Sequence, residues 1–319
     1  MEDNAPTLDH ENCTLDSLNA KETDKRIPTI VFLSIFMIIG ILGNLLVIVV
    51  YFGTLKRRQS AHWTFIRSLA IVDFLVCTIV ISFELAQQTH QLTFYNEGVC
   101  KLFRTFTVYS TIISAFLMIT ISSDRLRLVC WPTSRQLTSN KAVIVVVMVA
   151  IFSIVCAWPE GALSGIRFLE HTDCNLTGSD CNFSNRDVNY TTTYSAILFS
   201  VFIICMLALI IMYSIMAYQV FRRGQRIKTK LTKIAFVISF CFIISYIPFS
   251  VVKLNGAVKR GKDSSLPAEL YPILARLFIF NNIVNPFVYV IIDSTFREHC
   301  LLLYTNVLNI RQRSETTHF

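Results

Sequence analysis

Asp124 and Arg125 stand side by side where an apolar stretch, ISSDRLRLVC, runs out. A second acid, Asp73, lies inside another apolar run, LAIVDF. Neither arrangement reads as catalytic. The sequence holds no metal-spaced His/Cys cluster, no glycine-rich phosphate loop and no nucleophile beside a base, so it is not expected to be an enzyme. What such groups can do in apolar surroundings is electrostatic. An arginine at the end of a lipid-embedded helix reaches water and headgroups at little cost, and its plainest role is an interface anchor. An ionised carboxylate in mid-bilayer costs about 2.5–3.5 kcal/mol on insertion scales, so Asp73 needs either a proton or partners.

The composition says what must position these groups. The 319 residues are 53% hydrophobic and 16% charged, with mean hydropathy +0.54, which is too apolar for a soluble domain. Seven apolar runs reach the roughly 20 residues that cross a bilayer: Ile27–Phe52, His62–Gln87, Val99–Val129, Ala142–Leu163, Thr193–Phe221, Ile227–Val252 and Leu266–Ile292. Many of their residues are β-branched, yet lipid offers no partner to an open strand edge, so helix is the expected form. STFREHCLLLY, after the seventh run, reads as an amphipathic helix along the interface. The expected fold is therefore an all-α membrane protein, a seven-transmembrane helix bundle with a short amphipathic eighth helix. Residues 1–26 form an outer tail, 27–304 the bundle with its eighth helix, and 305–319 a cytosolic tail. No internal repeat or filter loop points to a transporter or channel.

The net charge of +8 does not imply nucleic acid, because the basic residues fall in short loops: LKRRQS, RLRL with SRQLTSNK, and FRRGQRIKTKLTK. The positive-inside rule puts these in the cytosol and the N-terminus outside. The N-terminal stretch lacks the basic start and apolar core of a cleaved signal, so the first run is expected to act as the insertion signal. Sequons at Asn12, Asn175, Asn182 and Asn189 all fall on the outer side, as glycosylation requires. Of ten cysteines, Cys13, Cys100, Cys174 and Cys181 lie outside, where disulfides persist and three pairings are open. Cys300, on the amphipathic segment, is a candidate for palmitoylation or a packing thiol.

Seven runs, an outer N-terminus and Asp-Arg at the inner end of run three together resemble the rhodopsin-like (class A) G protein-coupled receptors over nearly the whole chain. NPFVY (Asn285–Tyr289) followed by Phe296, Gly43-Asn44, LAIVDF with Asp73, Cys100, Arg125, and FIISYIPF with Phe242 and Pro248 stand in family order. The resemblance implies that Asp124 holds Arg125 at rest. When span six swings out, Arg125 is freed toward a heterotrimeric G protein, with Pro286 as a flexible point and Tyr213 and Tyr289 closing over the inner core. It implies a sodium ion held by Asp73, Ser114, Asn281 and Asn285, with Asn282 nearby; oxygen ligands suit a small hard cation, and a hydrogen-bonded network without an ion is the alternative. It implies a bridge from Cys100 to one of the two cysteines of the 164–190 loop; Cys181, nearer span five, is the favoured partner, which leaves Cys174 for Cys13. Several positions depart from the pattern: Leu126 replaces a tyrosine, Tyr246 a tryptophan, Ser245 a cysteine, Cys205 a proline and Ala150 a tryptophan. Lys228, Lys230 and Lys233 stand where some members carry an acid facing the arginine, so basal activity is expected to be raised.

The sites for amine and retinal recognition in this family are Thr107 and Ile279 here, which removes the required acid and lysine. The outer half carries Glu84, Arg104, Glu160, Lys253 and Arg276 among Phe83, Trp158, Tyr271 and Phe278. Mixed charge with aromatics suits a peptide, although these charges could instead pair with one another. The 164–190 segment is long enough for a hairpin lid. A small-molecule or lipid ligand is the alternative. Ser314, Thr316 and Thr317 are candidate phosphosites for arrestin.

Overall fold

The computed structural model describes residues 13–54, 60–133, 136–171, 174–183, 188–222, 230–259 and 270–316. Lys228, Asn12 and Thr317 lie outside them, as do the side chains of Lys230, Lys253, Ser314 and Thr316. Helix α1 (Leu15–Asp24) opens the described chain, capped by Thr14, whose hydroxyl accepts from the Ser17 N–H. Span one is α2 (Ile27–Val49) closed by a π-helical turn, Val50–Thr54. Span two joins α3 (Ala61–Leu75) to α4 (Ile81–Thr89) through a second π turn, Val76–Val80. Spans three and four are α5 (Glu97–Cys130) and α6 (Ser139–Leu163), spans five and six α7 (Val188–Arg222) and α8 (Lys230–Lys259).

Six helices are long and apolar enough to cross a membrane. The seventh crossing is divided between α9 (Leu270–Leu274) and α10 (Phe278–Ile292). The two are joined by tight i→i−3 bonds, Arg276 N–H to Ile273 O at 3.0 Å and Ile279 N–H to Arg276 O at 3.0 Å, a short 3₁₀ connection. At about 1.5 Å per residue α10 alone is too short for the hydrocarbon core, so α9 completes it. Helix α11 (Ser294–Thr316) follows. It is longer than the short eighth helix expected, continuing past residue 304.

Span three sits at the centre, packed against α3, α6, α7 and α8, while α10 closes the ring against α2 and α8. Half of the apolar window is buried in Ala61–Thr89 and in Glu97–Cys130, against 17% in Ser139–Leu163 and in Asn189–Arg222. Spans four and five therefore give most of their surface to lipid, with Ile144, Val155, Ile204 and Ile211 exposed. Cys205, in place of the usual proline, leaves α7 unbroken.

Pro286 has no N–H, so the carbonyl of Asn282, four residues back, loses its helical donor. Asn44 supplies one: its Nδ2 donates to Asn282 O at 2.8 Å and to Gly40 O at 3.0 Å. Gly43 lets the helices meet, since a Cβ there would stand 2.9 Å from Pro286 Cγ. Asn44→Ala should lower stability by about 1 kcal/mol, and Pro286→Ala should recover part of the loss by restoring an N–H. Thermal unfolding of the two single variants and the double variant reads this coupling.

Outside the bundle the all-α description needs one amendment, and the 164–190 segment contains the hairpin. Strands β1 (Ser164–His171) and β2 (Leu176–Phe183) pair antiparallel from Ser164 opposite Phe183 to His171 opposite Leu176. Arg167 grips Asp180 across the strands with Nε–Oδ1 3.0 Å and Nη2–Oδ2 2.6 Å. Ser179 also bonds Leu92 and Phe94 of the connection between spans two and three. The structure pairs Cys100 with Cys181 and Cys13 with Cys174. The first bridge ties the hairpin to span three, the second ties it to the chain preceding α1.

Candidate functional site

At the inner end, Arg125 is buried, which removes the interface-anchor reading. Its Nη2 donates to Asp124 Oδ2, and the two side chains are 5% and 12% exposed. Its Nε has no partner. One turn along α5, Ser122 Oγ meets the Tyr213 hydroxyl at 2.9 Å, and that hydroxyl meets Ser239 Oγ at 3.0 Å. Spans three, five and six are thus joined through Tyr213 by the hydroxyls of Ser122 and Ser239, which the sequence reading did not single out. His62, Met118, Ile121, Ile234, Ile238 and Tyr289 surround a small inner cavity. Tyr289 packs edge-on to Tyr51 at 5.9 Å between ring centroids and lies 6.0 Å from Phe296. The guanidinium is thus buried and held by its neighbour in the chain.

In mid-bundle Asp73, Ser114 and Asn281 are 0% exposed and Asn285 is 1% exposed. Asn285 Nδ2 donates to Asp73 Oδ2. Asp73 Oδ1, Ser114 Oγ, Asn285 Oδ1, Asn282 Oδ1 and both Asn281 amide atoms have no partner. Buried polar atoms are normally satisfied, and here five idle oxygens and one amide nitrogen gather around one carboxylate. Above it Tyr246 lies among Phe242 at 4.4 Å, Phe202 at 5.2 Å and Phe278 at 6.2 Å. The phenol in place of tryptophan fills an aromatic core that also contains Pro248 in its helix.

Four of the outer charges are joined in two pairs. Arg276 Nε donates to Glu84 Oε2 at 2.7 Å. Arg104 Nη2 lies 2.7 Å from Glu160 Oε1, and its guanidinium covers the Phe183 ring at 4.8 Å. The Thr107 hydroxyl donates within its own helix to Phe103 O at 2.9 Å. Tyr271 is half-buried. Three aromatics expected around the mouth lie elsewhere. Trp158 is 61% exposed on the outside of α6. Phe83 stacks on Phe103 beneath the Cys100–Cys181 bridge, and Phe278 packs into the core on Phe249. Helical periodicity could not place Phe83 and Phe278, because the π turn in span two and the 3₁₀ connection in span seven shift the faces that follow. Asn175 and Asn189 are exposed and Asn182 is half-buried. Cys300 packs against the core cluster, and burial pushes its thiol pKa up, which suits a packing thiol.

A helical bundle with a buried inner ion pair, an under-satisfied polar centre and a roofed outer end defines a signalling receptor of the membrane. The family pattern described as 7 transmembrane receptor (rhodopsin family) matches residues 43–289. The chain belongs to that family and is a G protein-coupled receptor, not an enzyme. It is 25% identical to the bombesin receptor subtype-3 of Ovis aries over 89% of this chain and 78% of that protein. It is 25% identical to the neuromedin-U receptor 2 of Rattus norvegicus, over 92% and 80%. It is also 24% identical to the 5-hydroxytryptamine receptor 4 of Cavia porcellus, over 91% and 84%.

Proposed function

We propose that this receptor resides in the plasma membrane with its N-terminus outside and converts binding of an extracellular peptide, a neuropeptide, into heterotrimeric G protein activation. The observation that carries the ligand class is the outer end itself. Two buried, oppositely charged pairs, Glu84–Arg276 and Arg104–Glu160, line it, and a disulfide-held hairpin roofs it. Paired charges offer both signs at once, which suits a polar chain with charged ends better than a lone cation. Similarity to receptors named for bombesin and neuromedin-U agrees. Similarity to a 5-hydroxytryptamine receptor keeps a small molecule as the second reading, but Thr107 supplies no carboxylate to an amine.

Asp73, Ser114, Asn281 and Asn285 fit a sodium ion, because their unpartnered oxygens are hard donors around one carboxylate. A bound cation would neutralise Asp73 and hold spans two, three and seven together at rest. Lys253 and Tyr271 at the outer end, and phosphates on Ser314, Thr316 and Thr317 for arrestin, complete the reading. A peptide library applied to cells expressing the full chain, read by guanine-nucleotide exchange, should yield peptide agonists. Replacing both partners, Glu84→Gln with Arg276→Gln, should weaken such an agonist at least about tenfold. Activation by an amine or lipid alone, with charge replacement silent, defeats the peptide reading.

A further inference from the structure

One polar side chain in the outer half has no explanation in the machinery above. Gln88 is 0% exposed, yet neither its Nε2 nor its Oε1 has a partner. Leaving an amide dry and unbonded is costly, so such a group marks a place where something else bonds. Gln88 stands one turn outward from Glu84 on the same face of α4.

The neighbouring charges are unbalanced. Arg276 gives Nε to Glu84 at 2.7 Å and Nη1 to the Pro272 carbonyl at 3.0 Å. Its Nη2 makes no bond among the described residues. Arg26, half-buried at the start of α2, makes no ion pair among the described residues. The acid beside it, Glu22, is taken by Lys25 at 2.6 Å. Burial and the nearby Arg276 guanidinium lower the Arg26 pKa, against the opposing pull of Glu22, and the outer end of α2 packs against α9 and α4.

Helix α1 roofs this corner. Asn19 Nδ2 donates to Thr89 O at 2.8 Å, its Oδ1 accepts from the Leu92 N–H at 3.0 Å, and Cys13–Cys174 fastens the chain just before it.

We propose that Arg26, Arg276 and Gln88 form a carboxylate-accepting subsite at the outer ends of spans one, two and seven, and that its occupant is the free C-terminal carboxylate of a peptide. The choice of a peptide rests on the function proposed above. Two guanidiniums offer the forked donors a carboxylate takes. Gln88 offers a donor and an acceptor, the complement of a peptide bond. A C-terminal amide lacks the charge, and an ammonium is repelled.

The test uses the purified full chain and a panel of N-acetyl tripeptides, each as free acid and as amide, with decanoate as a carboxylate lacking a peptide bond. Thermal unfolding reads binding directly. Free acids should stabilise the protein, and amides and decanoate should do so much less. Arg26→Gln and Gln88→Leu should each weaken the acids about tenfold, the loss of one good polar contact, and Arg26→Lys should restore part of it. No stabilisation by any acid, equal effects of acids and amides, or an unchanged response in Arg26→Gln overturns the subsite. Decanoate matching the peptides, with Gln88→Leu silent, overturns the peptide occupant. Amidated peptides driving nucleotide exchange without acid preference would overturn the subsite while leaving the receptor reading intact. Acid binding with no peptide-driven exchange would do the reverse.

Discussion

Asp124→Asn is expected to raise ligand-free guanine-nucleotide exchange about ten- to a hundredfold, and adding Arg125→Gln should return it to background. The Arg125 guanidinium is buried and bonded to Asp124. Asparagine keeps the size and one acceptor oxygen but removes the charge. A hydrogen bond to a charged group is worth about 1.5–3 kcal/mol. If activation frees Arg125 toward a G protein, that bond is given up on the way, so its loss destabilises only the closed state. Each 1.4 kcal/mol is about tenfold in the balance between states. The hydroxyl chain of Ser122, Tyr213 and Ser239 also holds span six, which keeps the effect below complete opening. The double variant matters because it lacks the cation meant to engage the G protein. The measurement is exchange in membranes from cells matched for surface receptor. Unchanged basal exchange in Asp124→Asn, or persistent exchange in the double variant, would remove the release mechanism.

The second large effect concerns Asp73. Sodium, compared with an equal concentration of N-methylglucamine, should stabilise the wild-type receptor and suppress its basal exchange, and Asp73→Asn should abolish both responses. The sign follows from the cluster. An unpaired carboxylate at this depth costs about 2.5–3.5 kcal/mol, and Asn285 satisfies only one of its oxygens. A cation offsets that cost by neutralising the charge and satisfying the idle oxygens of Ser114, Asn281 and Asn285. In sodium-free buffer the neutral asparagine should therefore be no less stable than the native acid. Ser114→Ala, which removes one ligand and no charge, should weaken the sodium response without eliminating it. If wild type ignores sodium, the cluster is a hydrogen-bonded network alone. If Asp73→Asn responds like wild type, the cation sits elsewhere.

The membrane architecture was legible because its causes are local. Apolar length sets each span, lipid forbids unpaired backbone, and Asn285, Pro286 and Tyr289 lie close together in one segment. The pairing of Arg125 with Asp124 was legible for the same reason, since the two are adjacent. The outer end was not. Glu84 and Arg276 lie 192 residues apart, and nothing in their own neighbourhoods announces that each neutralises the other. Nor does the sequence show that Phe83 and Phe278 turn inward while Trp158 turns to lipid. The faces of Phe83 and Phe278 depend on a π turn and a 3₁₀ connection, which displace the helical register without a residue signature.

Taken by itself, the amino-acid sequence determined that this chain threads a bilayer, which groups stand at each depth and which family it resembles. Hydrophobic length and short motifs act through nearest neighbours and do not need the bundle. Only the tertiary structure decided that Asn44 takes the carbonyl freed by Pro286, and that Glu84 pairs with Arg276 and Arg104 with Glu160. It also decided that Gln88, Asp73 and Asn281 are left with idle polar atoms. Hydrogen bonding in a low-dielectric interior is a matter of ångströms between residues distant in sequence, and no spacing along the chain specifies which partners arrive.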